Sequence, residues 1–531
     1  MPTRSLAVMS LLLLAVAAPV RAKEVEARFS RREAPVLTLA ENNTVLEIRI
    51  DSVLSCTVEK IAVNLDGTTS LDDIASLRLF YEGRDKKNRP FGPERAPAPG
   101  EMVFEGAQVV KNASGVFKLS IRLKPSAGLL NRVNASCAWL QISGKRVAGA
   151  AMPAPGLRLG VALRQGGEDR VMRHRIPGLV TTKHGTLLAT YDARRNQDRD
   201  LQGDIDIGLS RSTDGGQTWE PMRVALDVGR WGGLPQKFNG VSDACILADT
   251  GTGDIYIAGC WMHGVLDDDG HWIEGLTVSS TNWNHQWREN GSQPGLDVKQ
   301  TSQFIMAKSV DDGKTWSRPG NLTRALKNEK WWLLAPAPGR GITLRDGTLV
   351  MPVEGRDANG RAFATIIWSR DGAAWAIGAP GFAAGENQVA QLDDGSIMLN
   401  ARRRGTRAVV VTRDLGKTWT EHPTSRRALV DPGCMGSLLR HDYTDAGGAK
   451  KSVLLFSNPN SKDKREKMTI KASFDSGATW PGRHWIMLSE GLRGGYSCMT
   501  SVDENTIGIL YEAAGADMVF QKIPLAEILG R

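Results

Sequence analysis

Ser212-Thr213-Asp214-Gly215-Gly216-Gln217-Thr218-Trp219 has the form Ser-x-Asp-x-Gly-x-Thr-Trp, and the same pattern returns in full at Ser309 to Trp316 and at Ser473 to Trp480. Thr412 to Trp419 changes only the first Ser to Thr, and Ser369, Asp371 and Trp375 form a shortened copy. Asp and Gly suit a tight turn, Ser/Thr and Asp side chains bond back to nearby backbone, and Trp anchors the turn against apolar neighbours. A catalytic group is not needed five times over, so the pattern reads as a repeated structural turn, and repetition decides the fold.

Outward from these boxes the text is strand and turn, with Asp346-Gly347 and Asp394-Gly395 between apolar runs and no long amphipathic helix. Roughly 370 residues built from four-stranded units of about 45 to 65 residues predict a six-bladed β-propeller over 157–531. Box spacing is uneven, 97 residues from Asp214 to Asp311 and 43 from Asp371 to Asp414. The long first gap predicts an extended loop, Asp267 to Lys299, able to rim a binding site. Before the propeller, Thr44 to Ile50 and Val116 to Leu123 alternate apolar and polar as half-buried strands do, and 23–156 reads as an N-terminal β-sandwich, all-β like the rest. The Pro/Gly stretch Met152 to Gly156 reads as a linker.

Residues 1–22 read as a signal peptide: Arg4 supplies the positive end, Leu6 to Ala18 the apolar run, and Val20-Arg21-Ala22 a small-residue cleavage site. The expectation is an exported protein, periplasmic or secreted, with no second run long enough to be an integral membrane segment. No Cys precedes Cys56, which argues against a lipid-anchored N-terminus. The 531 residues hold six Cys, none with zinc spacing, and Cys56 could pair with Cys137 in an oxidising compartment. Eight scattered His suggest no metal site and no cofactor; a structural calcium on carboxylates stays open but nothing indicates one. A net charge of +9 favours anionic ligands, whereas 6% aromatic residues without a basic-aromatic block argue against nucleic acid.

Chemistry-bearing residues fall between the turns: Arg175-Ile176-Pro177, Tyr191 to Arg194 followed by Asp200, Gly385-Glu386-Asn387 with Arg402 sixteen residues on, Ser457-Asn458-Pro459 with Arg465, and Tyr496 with Glu512. In this order, and together with the boxes, they resemble the bacterial exo-α-sialidases (neuraminidases), over nearly everything from about Arg170 to the C-terminus. That resemblance implies removal of terminal sialic acid from glycans such as mucin or host glycoproteins.

It also implies roles. Arg175, Arg402 and Arg465 would clamp the sialic acid carboxylate, each charge-assisted bond contributing roughly 1.5–3 kcal/mol. Glu512 would orient Arg175. A carboxylate nucleophile is repelled by a carbon that already bears a carboxylate, so Tyr496 would attack, with Glu386 taking its proton, as expected of sialidases among retaining glycosidases. Asp200 would be the acid/base, with Asp198, Asp204 and Asp206 as competitors; Asp200 is preferred by its distance from Arg194, and the last two read as structural. Arg194 would bind a ring hydroxyl and Asp243, in Val241-Ser242-Asp243, the 4-hydroxyl or N-acetyl region, with Trp261 and Met262 either walls of the N-acetyl pocket or core. Arg403 and Arg404 adjoin Arg402, but strand alternation points Arg403 away.

Two other readings stay open: a trans-sialidase, and a non-catalytic sialoglycan-binding propeller, which would be expected to lose the nucleophile, base or acid that this chain keeps. The N-terminal domain offers no evident aromatic platform beyond Tyr81, Phe91, Phe104, Phe117 and Trp139, so its expected role is to pack against the propeller rather than to bind carbohydrate.

Overall fold

A computed structural model describes residues 25–530 except 112–113, 202, 234, 264–291 and 299. The predicted signal peptide and most of the rim loop Asp267 to Lys299 lie outside the described residues. Among those described, α-helix is confined to Thr323–Leu326 and Leu525–Leu529, and the remainder is strand, turn and short 3-10 pieces. No described helix is long and apolar enough to cross a membrane.

The N-terminal part holds two antiparallel sheets. One orders the strands Val25–Ser30, Asn43–Ser52, Ser114–Leu123, Ile74–Glu82 and Asn88–Pro90; the other orders Lys145–Ala150, Ser136–Ile142, Cys56–Asn64 and Met102–Val110. Alternation places one face of each strand inward, so Ile48, Phe117 and Leu79 from the first sheet meet Ile61, Phe104 and Leu140 from the second in one apolar core. The Cys56–Cys137 pairing does not form, and all six thiols are free. Register gives the reason: Cys137 lies opposite Val63, seven residues along the strand from Cys56 and therefore about 23 Å away.

From Leu157 onward the chain runs as successive antiparallel meanders. The first comprises Arg173–Thr181, Leu187–Arg194, Ile205–Ser212 and Arg223–Leu226, and the second Asn239–Ala248, Ile255–His263, Gln303–Ser309 and Gly320–Asn321. Leu333–Pro336, Leu349–Arg356, Ala362–Ser369 and Ala376–Ile377 follow, then Asn387–Gln391, Ile397–Ala401, Ala408–Thr412 and Thr420–Glu421. Next come Ser437–Thr444, Lys450–Pro459, Glu466–Ser473 and Trp485–Gly491. The last sheet takes Ser497–Asp503, Thr506–Tyr511 and Met518–Pro524 from the C-terminus and is completed by Leu157–Arg164 from far upstream.

All five boxes occupy one topological place, directly after the third strand of a meander. In each full copy the Ser or Thr hydroxyl accepts the Gly N–H, at 2.8 Å for Ser212 and Gly216 and 3.0 Å for Thr412 and Gly416. The Asp carboxylate accepts the N–H of the Thr four residues on, at 2.9 Å in three copies and 2.8 Å in the fourth. Bonds to the Thr418 hydroxyl and N–H hold the Asp414 carboxyl down at about 2. Glycine is required at Gly216, where φ is +88° and a Cβ would collide with the Phe520 ring of the neighbouring sheet. Trp219 packs on the same ring, edge-on at 5.0 Å.

The N-terminal part is sewn to the last sheet. Val36–Thr38 pairs in parallel with Leu159–Val161, and Leu129 sits in one apolar cluster with Leu163, Leu179 and Phe520. Glu527 accepts hydrogen bonds from Arg132 and from Arg158, both at 2.7 Å. Glu527→Ala leaves two half-buried guanidinium groups without that carboxylate, so it is expected to cost about 2 kcal/mol, read as a lower midpoint in urea unfolding.

Candidate active site

In an antiparallel meander the start of strand one, the end of strand two and the start of strand three share one edge, while the boxes lie on the other. The candidate residues occupy that first edge. Arg175 and Asp243 lie on first strands, Glu386 and Tyr496 immediately precede them, Arg402 and Glu512 immediately follow second strands, and Arg465 precedes a third. Asp200 stands in the connection between the second and third strands of the first meander. A cavity of about 690 Å³ opens there, lined by Asp200, Asp243, Glu354, Glu386, Arg402 and Tyr496 together with Arg199, Leu201, Arg356, Arg403, Arg404 and Gly433.

At its floor Tyr496, 5% exposed, donates its hydroxyl proton to Glu386 Oε1. Arg402 Nη1 donates to the same Tyr496 oxygen at 2.8 Å and to Glu386 Oε2 at 2.6 Å. Burial, reinforced by the Glu386 charge, pushes the phenol well above its ordinary value, with Arg402 opposing; the hydroxyl keeps its proton until something removes it.

Glu512 ties three pieces together. Its carboxylate accepts Arg175 Nε at 2.7 Å, the Ile176 N–H at 3.0 Å and the Tyr496 N–H at 3.0 Å. Ile176 has a φ of 62°, a left-handed conformation that a β-branched residue adopts only under constraint, and it marks a bulge in which the register slips between Arg175 and Gly178. The Glu512 bonds supply the constraint. Gly494 is as closely fitted, since a Cβ there would meet both the Glu512 carboxylate and Arg175 Nε. Burial opposes the Arg175 charge, but Glu512 more than offsets it and holds the guanidinium protonated.

Arg465 donates to the Gly494 carbonyl at 2.9 Å and the Gly433 carbonyl at 3.3 Å, with its guanidinium 5.6 Å from the centre of the Tyr496 ring. Three guanidinium groups are therefore anchored around one tyrosine and its glutamate. Only Arg402 of the three lines the cavity wall itself.

Asp200 pairs with Arg194, and its side chain is 61% exposed. Asp198 faces Arg175 Nη1 at 3.7 Å. Arg194 is not on the cavity wall. It is 1% exposed, bonded to Asp192 Oδ2 at 3.1 Å and to the Asp198 carbonyl at 2.6 Å, and it lies beneath Asp200. Asp206, at the start of the third strand, pairs with Arg195 and does not line the cavity, and burial pushes it up to about 6. Trp261 and Met262 are core residues: Trp261 packs on Trp231 at 4.6 Å, and Met262 lies behind the lining residues Leu201 and Leu333.

Asp243 has φ 56° at a second bulge, between Ser242 and Cys245, and its N–H is held by Asp192 Oδ1 at 3.2 Å. Burial first, then Asp192, raises its carboxyl well above the usual range.

Sequence reading gave no role to Asp192, Glu354 or Arg356. Glu354 stands two residues before the end of the second strand of its meander and eight residues after Asp346 of the preceding turn, as Arg402 stands eight after Asp394, and that spacing is the signal that could have found it. Burial and then the Glu386 charge push Glu354 up to about 8. A carboxyl raised on folding stabilises fully below its unfolded value near 4.5, and that stability is lost as pH rises towards 8. Glu354→Gln is therefore expected to melt less pH-dependently than wild type, with the gap widening between pH 5 and 8 in melting-temperature scans.

Alternation does not govern Arg403. The strand ends at Ala401, and a new two-stranded ribbon begins at Arg404, so Arg402 turns to the floor while Arg403 and Arg404 line the mouth.

Residues 176–479 match the BNR repeat-like domain, and residues 22–98 match the N-terminal domain of BNR-repeat neuraminidase. A sialidase of Bacteroides fragilis is 39% identical, the match covering 93% of this chain and 94% of that protein. A sialidase of Micromonospora viridifaciens is 33% identical over 69% of this chain and 54% of its own. Among solved structures, the Hadza microbial sialidase Hz136 superposes with a TM-score of 0.85 at 38% identity, covering 94% of this chain and 99% of that one.

Proposed function

Since the chain belongs to the BNR-repeat sialidases, we propose that this exo-α-sialidase hydrolyses terminal sialic acid with retention, through a covalent intermediate on Tyr496. The observation that carries the proposal is the closed triangle of Tyr496, Glu386 and Arg402. Arg402, Arg175 and Arg465 hold the substrate carboxylate. Tyr496 Oη then bonds to the anomeric carbon as the glycosidic C–O bond breaks, its proton passing to Glu386, while Asp200 protonates the departing oxygen. In the second half Asp200 takes a proton from water, the water oxygen replaces the tyrosine oxygen, and Glu386 returns the phenol proton. A neutral tyrosine suits this site because a carboxylate nucleophile would be repelled by the carboxylate of the sugar. Arg194, beneath the acid, holds Asp200 in place, and Asp243, whose carboxyl burial raises above its usual range, meets the sugar's ring substituents.

Six four-stranded meanders, the last closed by Leu157–Arg164 from upstream, support a six-bladed β-propeller over 157–531, and the two sheets sharing one core support a β-sandwich over 23–156. The basic, apolar and small-residue succession of residues 1–22 supports export to the periplasm or medium, and sialylated glycans are the substrates. Purified protein is expected to release fluorophore from 4-methylumbelliferyl N-acetylneuraminic acid. Folded protein without turnover between pH 4 and 8 would favour a binding module instead.

A further inference from the structure

A second cavity, of about 290 Å³, lies at the opposite edge of the same sheets. Arg173–Thr181, Asn239–Ala248 and Asn387–Gln391 have one end at the candidate active site and the other here, where Thr181, Ala248 and Gln391 line the wall with Arg340, Arg345, Arg440 and Asp442. Arg440 is neutralised by Asp393 and by Asp442, the latter at 2.8 Å, and Arg345 lies 3.8 Å from Asp393. Arg340 differs from both.

Arg340 sits on the short strand Gly339–Arg340, which runs parallel to Cys245–Ile246. Among the described residues no carboxylate lies within ion-pair distance of it, and its buried Nε has no hydrogen-bond partner. The thiols of Cys245 and Cys498 lie nearby, and burial raises both, so neither supplies a negative charge at neutral pH. A guanidinium whose buried Nε has neither a hydrogen-bond partner nor a counter-charge is unfavourable, and its planar fork matches a carboxylate or a tetrahedral oxyanion.

We infer that the Arg340 cavity binds a small oxyanion, an inorganic phosphate or sulfate or a carboxylate, at the end of the sheets away from the sialic acid site. The geometry assigns Arg340 as the ligand's charge partner, with Arg345 and Arg440 enlarging the positive field at the mouth. This site is independent of the catalytic reading.

The test is a titration of inorganic phosphate, with sulfate and acetate in parallel, at ionic strength held constant with sodium chloride. A 2,3-unsaturated sialic acid analogue saturates the active site, so that Arg175, Arg402 and Arg465 contribute nothing. Wild-type protein is expected to gain on the order of 2–4 °C in melting temperature once the anion is about 100-fold above its dissociation constant, and Arg340→Gln to gain none. A larger shift with phosphate and sulfate than with acetate identifies an inorganic ligand, and the reverse a carboxylate. No shift in wild type, or an equal shift in Arg340→Gln, overturns the assignment. Should Arg340→Gln not fold, crystals of wild type soaked in selenate supply the second readout: anomalous density at the Arg340 guanidinium is expected, and its absence, with selenate ordered elsewhere, contradicts the site.

Discussion

Tyr496→Phe is expected to lower kcat by at least about 10³-fold on any sialoside while leaving the fold and KM nearly unchanged. The variant removes one oxygen. The ring stays in its apolar setting with Ile176, Cys434 and Met435, and the Arg402–Glu386 pair loses a shared neighbour but not each other. The carboxylate clamp is also intact, because Glu512 holds Arg175 through its side chain and reaches residue 496 only through the backbone N–H. Substrate should therefore bind and wait. Steady-state kinetics beside a melting curve separate this from misfolding, and a loss confined to KM would assign the hydroxyl to binding instead.

The second large effect concerns the leaving group. Asp200→Asn is expected to reduce kcat/KM on sialyllactose by about 10²–10⁴-fold, the usual contribution of a positioned acid, but to reduce it far less on the 4-methylumbelliferyl sialoside, whose phenolate departs without a proton. Asp200 suits such a role because it is exposed on the cavity side and fixed from below by Arg194. Asparagine preserves the size of the side chain, and Arg194 remains paired with Asp192. Equal losses on the two substrates would remove Asp200 as the acid and turn attention to Asp198, which faces Arg175.

The fold was legible because its signal is local. Each box closes on itself through Ser/Thr, Asp and Gly within eight residues, so the turn is written wherever the pattern is. Alternating strands such as Asn43–Ser52 were legible for the same reason, since period two survives without knowledge of the partner. The candidate site was suggested by the order of residues and by the demand of an anionic sugar for arginine and a neutral nucleophile. What escaped depends on where strands stop and which layer a side chain occupies. Arg403 was misplaced because alternation was carried one residue past Ala401. Arg194 is drawn below the wall by Asp192, a layer that local sequence does not specify. Glu354 looks like an ordinary carboxylate at the end of an apolar run until it is counted from its turn, where it falls eight residues after Asp346 as Arg402 does after Asp394. Cys56 and Cys137 lie on neighbouring strands but seven residues apart in the observed register, a fact that spacing alone does not contain.

The most direct measurement of the central claim is to incubate the enzyme with a 2,3-difluoro sialic acid, which slows breakdown of a glycosyl-enzyme more than its formation, and to map the adduct by peptide mass spectrometry. The account predicts one fluorosialyl group, on the peptide carrying Tyr496, with turnover returning as the label is released. A label on Glu386 or Asp200, or inactivation of an active enzyme with no covalent adduct, would contradict it.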